Sequence, residues 1–161
     1  MNIAEVIKTR RTIKKFKTDE IEENKIKEWL QISAFAPNHK MTEPWKIIFI
    51  GEETRKELKH KTNFGDAPYL IAVLSHKGRN TLEREENYAT VSCFIQNFML
   101  QAWESGVGTF WSSVGASDLG RRVLQASDEF DVVGVLAIGY PEEIMDAKDR
   151  SLIDNKITYL D

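Results

Sequence analysis

Val91–Trp103 reads VSCFIQNFMLQAW, and it lies inside a longer helical stretch, Leu82 to Ser105, that Gly106 stops. A glycine just past the last periodic residue is the usual mark of a helix C-terminus. The quoted segment is apolar on nearly every face, and a helix hydrophobic all round is buried on all sides. A chain of 161 residues has little material with which to cover so long a helix completely. A dimer interface running along it is the economical expectation.

Upstream, Met1 to Thr9 reads as a short helix with Ile3, Val6 and Ile7 on one side. Glu22 to Phe35 reads as a clearer one, with Ile26, Trp29, Leu30 and Phe35 near helical spacing. Ala36-Pro37 ends it, because the residue before proline avoids helical backbone. After the polar loop Asn38 to Glu43, Trp45 to Ile50 has strand length, and Glu52 to Lys61 reads as an exposed amphipathic helix. Tyr69 to Leu74 is a buried strand, preceded by Asp66-Ala67-Pro68. Downstream come a strand at Val107 to Trp111, a helix from Ser117-Asp118 to Gln125, and a strand at Val132 to Ile138. Ile157 to Leu160 could add one more strand, on this sheet or on a partner's. Helices separate most of the strands, so the class is α/β or α+β.

The length suits one domain, residues 1–161. With 22 Lys and Arg against 25 Asp and Glu, the chain lacks the overall basic excess that bulk nucleic-acid binding needs. Cys93 is the single cysteine, so there is no internal disulfide and no CxxC pair, and a reducing compartment is expected. The N-terminus does not read as a signal peptide and no run is long enough to span a bilayer, so a cytoplasmic protein is expected.

Four segments could carry chemistry. Lys8, Arg10, Arg11, Lys14, Lys15 and Lys17 crowd a short stretch that contains no acid. It could be a phosphate clamp with Thr12 adding a hydroxyl, a nucleic-acid or targeting patch, or a solvated face. Ala36 to Trp45 is a polar loop fixed by Pro37 and Pro44; His39 in it could donate a proton or hydrogen-bond a ligand, or be an ordinary surface histidine. His60 and His76 stand in polar surroundings and are expected to be exposed. No second His or Cys sits at ligand spacing, so no metal site is expected. Trp111 could be core, whereas Ser112 and Ser113 leave a strand where a flat ligand could meet backbone N–H groups. Lys148-Asp149-Arg150, taken alone, counts as surface charge.

In order and spacing, these segments resemble the FMN-dependent nitroreductase superfamily over nearly the whole chain. Arg10 to Phe16 is similar to its RRSxRxF-like motif, Ala36 to Trp45 to its A-P-S-x-x-N-x-Q-P-W-like loop, and Asp66 to Val73 to its D-A-P-x-x-I-x-V strand. Ala102 to Gly108, Gly139 to Pro141 and Lys148 to Arg150 match the A-x-x-x-G-x-G helix end, the G-Y-P turn and the K-x-R tail. The resemblance implies an α+β, three-layer fold: a central mixed, mainly antiparallel sheet flanked by helices, with the long helix at a dimer interface. It implies a homodimer with FMN at the subunit interface. Arg10, Lys148 and Arg150 would lie near the FMN phosphate, and Arg11 and Thr12 along the phosphate, ribityl or pyrimidine edge. Lys14 would approach the N1 and O2 side of the ring, where reduction leaves negative charge. Pro37, Asn38 and His39 would reach the flavin from the partner, while Trp111, Ser112 and Ser113 would lie against the ring.

The implied activity is ping-pong electron transfer from NADH or NADPH to a flat acceptor such as a nitroaromatic or a quinone. Reductive dehalogenation, flavin fragmentation or flavin binding without turnover are the alternatives. Met41 stands where the family often has Asn, and Glu43 where it often has Gln. Thr62 to Asp66 and Ser75 to Asn80 are brief where larger members carry insertions, so an open or partner-covered pocket is expected.

Overall fold

The structure is a computed structural model that describes residues 1–160. Five α-helices, α1 (Ile3–Thr9), α2 (Glu23–Ser33), α3 (Glu52–Glu57), α4 (Thr81–Glu104) and α5 (Asp118–Val123), accompany four strands, β1 (Trp45–Phe49), β2 (Tyr69–His76), β3 (Gly108–Ser112) and β4 (Phe130–Gly139). The sheet order is β1-β2-β4-β3 and every strand pair is antiparallel. The parallel contribution is one isolated bridge, Thr12 to Thr109. The class is thus α+β.

Side chains alternate across a strand, so each central strand feeds two cores. Ile71 and Val73 of β2 with Leu136 and Ile138 of β4 meet Phe94, Ile95 and Phe98 of α4 and Ile26 and Trp29 of α2. Leu70, Ala72, Leu74, Val135 and Ala137 point the other way, toward Ile13, Phe16, Leu58, Phe64 and Leu124. These are the three layers. A register shift at Val73/Leu74, opposite Val132 to Gly134, lets Val132 and Val135 face the same layer although they are three apart.

The long helix ends as its sequence predicts. Gly106 takes φ +78, its N–H donates to the Trp103 carbonyl, and the Val107 N–H donates to the Ala102 carbonyl, which is a Schellman closure. At the other end the Asn80 side chain accepts from the Glu83 N–H at 3.0 Å. Burial all round does not hold within one chain. Tyr88, Ala89, Cys93 and Gln96 form an exposed stripe along α4.

Two other expectations change. The helix from Glu52 stops at Glu57 instead of Lys61, because Lys59 adopts φ +51 and turns the chain inward. No strand forms at Ile157 to Leu160 on this sheet; the tail carries a 3₁₀ turn at Ile153–Lys156 and leaves Tyr159 and Leu160 exposed. Among the described residues no helix is long and apolar enough to cross a membrane.

Candidate functional site

The basic segment after α1 is extended and bolted down by its backbone. The Ile13 N–H donates to the Thr109 carbonyl (3.0 Å), the Phe16 N–H to Gly65 (3.0 Å) and the Lys17 N–H to Tyr140 (2.9 Å), while the Glu142 N–H donates to Lys15 (3.1 Å). Ile13 and Phe16 are buried and Thr12, Lys14 and Lys15 are exposed, so the apolar side chains anchor the strip and the polar ones stand free. Close approach requires glycine on the opposing side. A Cβ on Gly108 would collide with Ile13, and one on Gly65 (φ +67) with the Lys14 carbonyl.

At the start of the strip three guanidinium groups gather. Arg10 is half-buried, and its affinity for its proton is lowered by that burial and then by the positive charges of Arg11 and Arg150. None of the three forms an ion pair among the described residues. Arg11 folds back on α1, its Nη1 donating to the Lys8 (2.8 Å) and Arg10 (3.0 Å) carbonyls, while its buried Nε has no partner. Arg150 donates to the Lys148 carbonyl at 2.9 Å, and its charge is near enough to act on Arg10, so the tail motif comes back to the α1 end of the molecule. Like charges without carboxylates, plus an orphaned buried N–H, fit a phosphate. Lys148 is exposed in the same tail.

Further along the strip, Lys14 lines a cleft of about 550 Å³ with Lys59, His60, Lys61, Thr62, Phe110, Ser112, Ser113 and Val114. Strand parity explains the membership. Residues directly opposite in an antiparallel pair share a face; Phe110 pairs with Ala137 and Ser112 with Val135, both of the layer that holds Ile13 and Phe16. Ser112 is buried and its Oγ accepts from the Val114 N–H at 3.3 Å, whereas Ser113 is exposed. Trp111 has the opposite parity. Its indole lies over Gly134 on the α4 side and donates to the Val133 carbonyl at 3.1 Å, so the structure does not bring that ring into the cleft.

His60 corrects an expectation. It is not simply exposed: its ring stacks on buried Phe64 (centroids 4.1 Å apart) and meets Phe110 edge-on (5.6 Å). Nδ1 accepts the Phe64 N–H at 3.1 Å, which puts the neutral ring's proton on Nε2. Burial lowers its pKa, favouring that neutral form. Nothing in local sequence marks this, because the turn after α3 brings His60 onto Phe64 and against Phe110 of the distant β3. His76, by contrast, is exposed as expected.

The Pro37–Asn38–His39 loop lies elsewhere. The Pro37 carbonyl accepts from Thr90 Oγ1 (3.2 Å), midway along α4, whereas Thr9, next to Arg10, accepts from Trp103 Nε1 (3.0 Å) near its end. Thirteen helical residues at 1.5 Å each separate these anchors by about 20 Å. Asn38 spends its side chain on the loop itself, accepting from the Glu43 N–H at 3.1 Å and donating to Ala36 at 3.3 Å. His39 is exposed and borders a separate hollow of about 280 Å³ with His76, Arg79 and Glu83. Among the described residues no group of His, Cys, Asp or Glu could hold a metal ion.

The model of the "Nitroreductase family" matches residues 7–63 and 53–140. The chain is 30% identical to "Putative NAD(P)H nitroreductase YfhC" of Bacillus subtilis, over 97% of this chain and 93% of that protein. In structure it resembles a nitroreductase-like family protein from Bacillus cereus, with a TM-score of 0.90, 29% identity and coverage of 99% and 96%. It also shares the fold of an FMN-dependent nitroreductase from Clostridium difficile, with a TM-score of 0.79, 24% identity and coverage of 98% and 99%.

Proposed function

The chain belongs to the nitroreductase family, and on that premise we propose that it is a single-domain, FMN-dependent oxidoreductase passing electrons from NADH or NADPH to a flat acceptor such as a nitroaromatic or quinone. The observation that carries this reading is the uncompensated cluster of Arg10, Arg11 and Arg150 at one end of a strip whose other end, Lys14, lines a cleft of about 550 Å³. That cleft is within the usual range for cofactor sites. FMN, when bound, supplies the hydride chemistry of the ping-pong cycle.

The chain's own residues have separable tasks. Arg10 and Arg150, with Lys148, bind the phosphate; the free Nε of Arg11 and the Thr12 hydroxyl extend that grip. Lys14 holds a fixed positive charge in the cleft, where negative charge accumulates on reduction. Ser112 and Ser113 orient the ring edge against β3, with Trp111 as the support behind the strand. His60 holds a proton at Nε2 inside the same cleft. Pro37, Asn38 and His39 serve a second copy, across a homodimer whose interface runs along the exposed stripe of α4. The single, exposed Cys93 suits the cytoplasm, the compartment this reading assigns.

The test is the visible spectrum of the purified protein, incubated with FMN and then treated anaerobically with NADH and NADPH in turn. A bound flavin that either reductant bleaches, and that nitroaromatics or quinones restore, is the expected result. Protein that stays colourless after FMN refutes the reading. A flavin that halogenated phenols restore and nitroaromatics do not would reassign the chemistry to dehalogenation.

A further inference from the structure

The cleft beside Lys14 is lined by two further ammonium groups, those of Lys59 and Lys61. Lys59, His60, Lys61 and Thr62 come to it on the turn between α3 and β2. That turn is held from within. Arg55 donates through Nη1 to the Ala67 carbonyl (2.6 Å), through Nε to Asn63 Oδ1 (2.9 Å) and through Nη2 to the Asn63 carbonyl (2.7 Å). Phe64 is fully buried beneath it. Lys59 takes its place with φ +51, a conformation that costs a non-glycine residue and is retained where surrounding contacts enforce it.

The lining of the cleft contains three ammonium groups and no carboxylate. Neither Lys14, Lys59 nor Lys61 forms an ion pair among the described residues, although Lys56, on the preceding helix, pairs with Glu52 and Glu53. The same lining supplies the apolar side chains of Phe110 and Val114, a neutral imidazole with its proton on Nε2, and the hydroxyls of Thr62 and Ser113. An aromatic wall bordered by unneutralised cations is complementary to a flat ring bearing an anion. A neutral nitroarene or quinone would bring no anion to Lys59 and Lys61.

Building on the flavin reading above, we propose that the acceptor is an aromatic compound that carries its own negative charge, a carboxylate, held by Lys59 and Lys61 against Phe110. With a nitrobenzoate as the acceptor, one turnover takes a hydride from NAD(P)H and one proton from solvent. It breaks one N–O bond, converts the nitro group to nitroso and releases water.

The test compares 4-nitrobenzoate with 4-nitrobenzamide, which have similar shape and differ in charge, on the wild type and on Lys59→Gln/Lys61→Gln. Both lysines are exposed, so the variant keeps the fold. Calorimetric binding to the FMN-loaded protein and kcat/KM are both read. The wild type is expected to favour the benzoate by about tenfold, the scale of one charge-assisted contact. The double variant loses that preference and keeps its benzamide affinity, its FMN affinity and its rate of reduction by NADH. High salt shrinks the preference. Equal binding of the two compounds by the wild type overturns the inference, as does an equal loss for both in the variant. A loss confined to reduction by NADPH overturns it too, because the lysines would then serve the reductant's extra phosphate. Failure to bind FMN overturns the flavin reading, whereas equal binding on a yellow, reducible protein overturns only the acceptor assignment.

Discussion

Arg10→Met gives two measurable effects of opposite sign. Methionine keeps the apolar stem and removes the charge. In the flavin-free protein that charge is half-buried between Arg11 and Arg150, with no carboxylate to offset it. Burial is the larger of the influences that disfavour its charged form, and the two neighbouring guanidiniums add to it. Exposed charge pairs interact by roughly 0.2–1 kcal/mol once water screens them, so the variant relieves a repulsion of that order. Its flavin-free stability should therefore hold or rise slightly. Toward FMN the sign reverses. Loss of a charge-assisted contact to phosphate costs about 1.5–3 kcal/mol, which weakens binding by roughly 10- to 150-fold. Urea unfolding of the flavin-free protein reads the first effect, and fluorescence titration with FMN reads the second. Arg10→Lys should recover part of the affinity, since it keeps the charge but loses the planar fork. Unchanged FMN affinity in Arg10→Met refutes the phosphate assignment. A stability loss above about 1 kcal/mol with an equal loss of affinity would instead make Arg10 a structural residue.

Gly65→Ala should destabilise the protein by about 1–3 kcal/mol, because φ is +67 and the new Cβ meets the Lys14 backbone carbonyl; weakened FMN binding should accompany it, and unaltered affinity would show that the position of Lys14 does not matter. Asp131 accepts from Arg84 at 2.6 and 2.8 Å, and Arg84 holds its carboxyl below the ordinary carboxylate value of 3.8. Its contribution is therefore present above that value and lost as pH falls through the lower folded one. The stability gap between wild type and Asp131→Asn should be complete at neutral pH and close on acidification, and a gap independent of pH would count against the pair. Cys93→Arg puts a charge on the exposed stripe of α4; sedimentation should show monomers that no longer retain FMN, and an unchanged assembly mass would remove that stripe from the interface.

What the sequence discloses depends on whether the signal is periodic. α4 and its Gly106 stop were readable because a long apolar run ends at the one residue type that suits the left-handed closure, whereas the exposed stripe of Tyr88, Ala89, Cys93 and Gln96 was hidden by that run's apolar character on nearly every face. The strands at Trp45, Tyr69, Gly108 and Phe130 were readable because apolar runs of strand length stand between polar breaks. The end of α3 was not. Glu52 to Lys61 keeps a helical composition, and what ends the helix is the fit of the following turn, tied by Arg55 to Asn63 and Ala67 and by Phe64 in the core. Since His60 rides on that turn, its place in the cleft was hidden with it. Trp111 illustrates a signal that was present but unused. Period-two alternation separates it from Phe110 and Ser112, so the three cannot all face one ligand from one side of β3.

The glycine and proline signals in the motifs also take their meaning from packing. At Gly108 the missing side chain admits Ile13, which draws the strip from Arg10 to Phe16 onto the edge of β3. Pro141, after β4, closes the other side through its bridge to Phe16. The strip is therefore rigid because its backbone bonds and its two apolar anchors are satisfied, while Arg10, Thr12 and Lys14 remain available along its outer edge. The Pro37–His39 loop is tied to α4 through Thr90, about 20 Å along the helix from the Thr9–Trp103 contact. One chain thus holds its cation cluster and that loop at separate points along α4. If the two belong to one site, flavin retention is tied to association. A charge on the α4 stripe, remote from every proposed phosphate contact, then becomes as damaging to FMN binding as the loss of Arg10 itself.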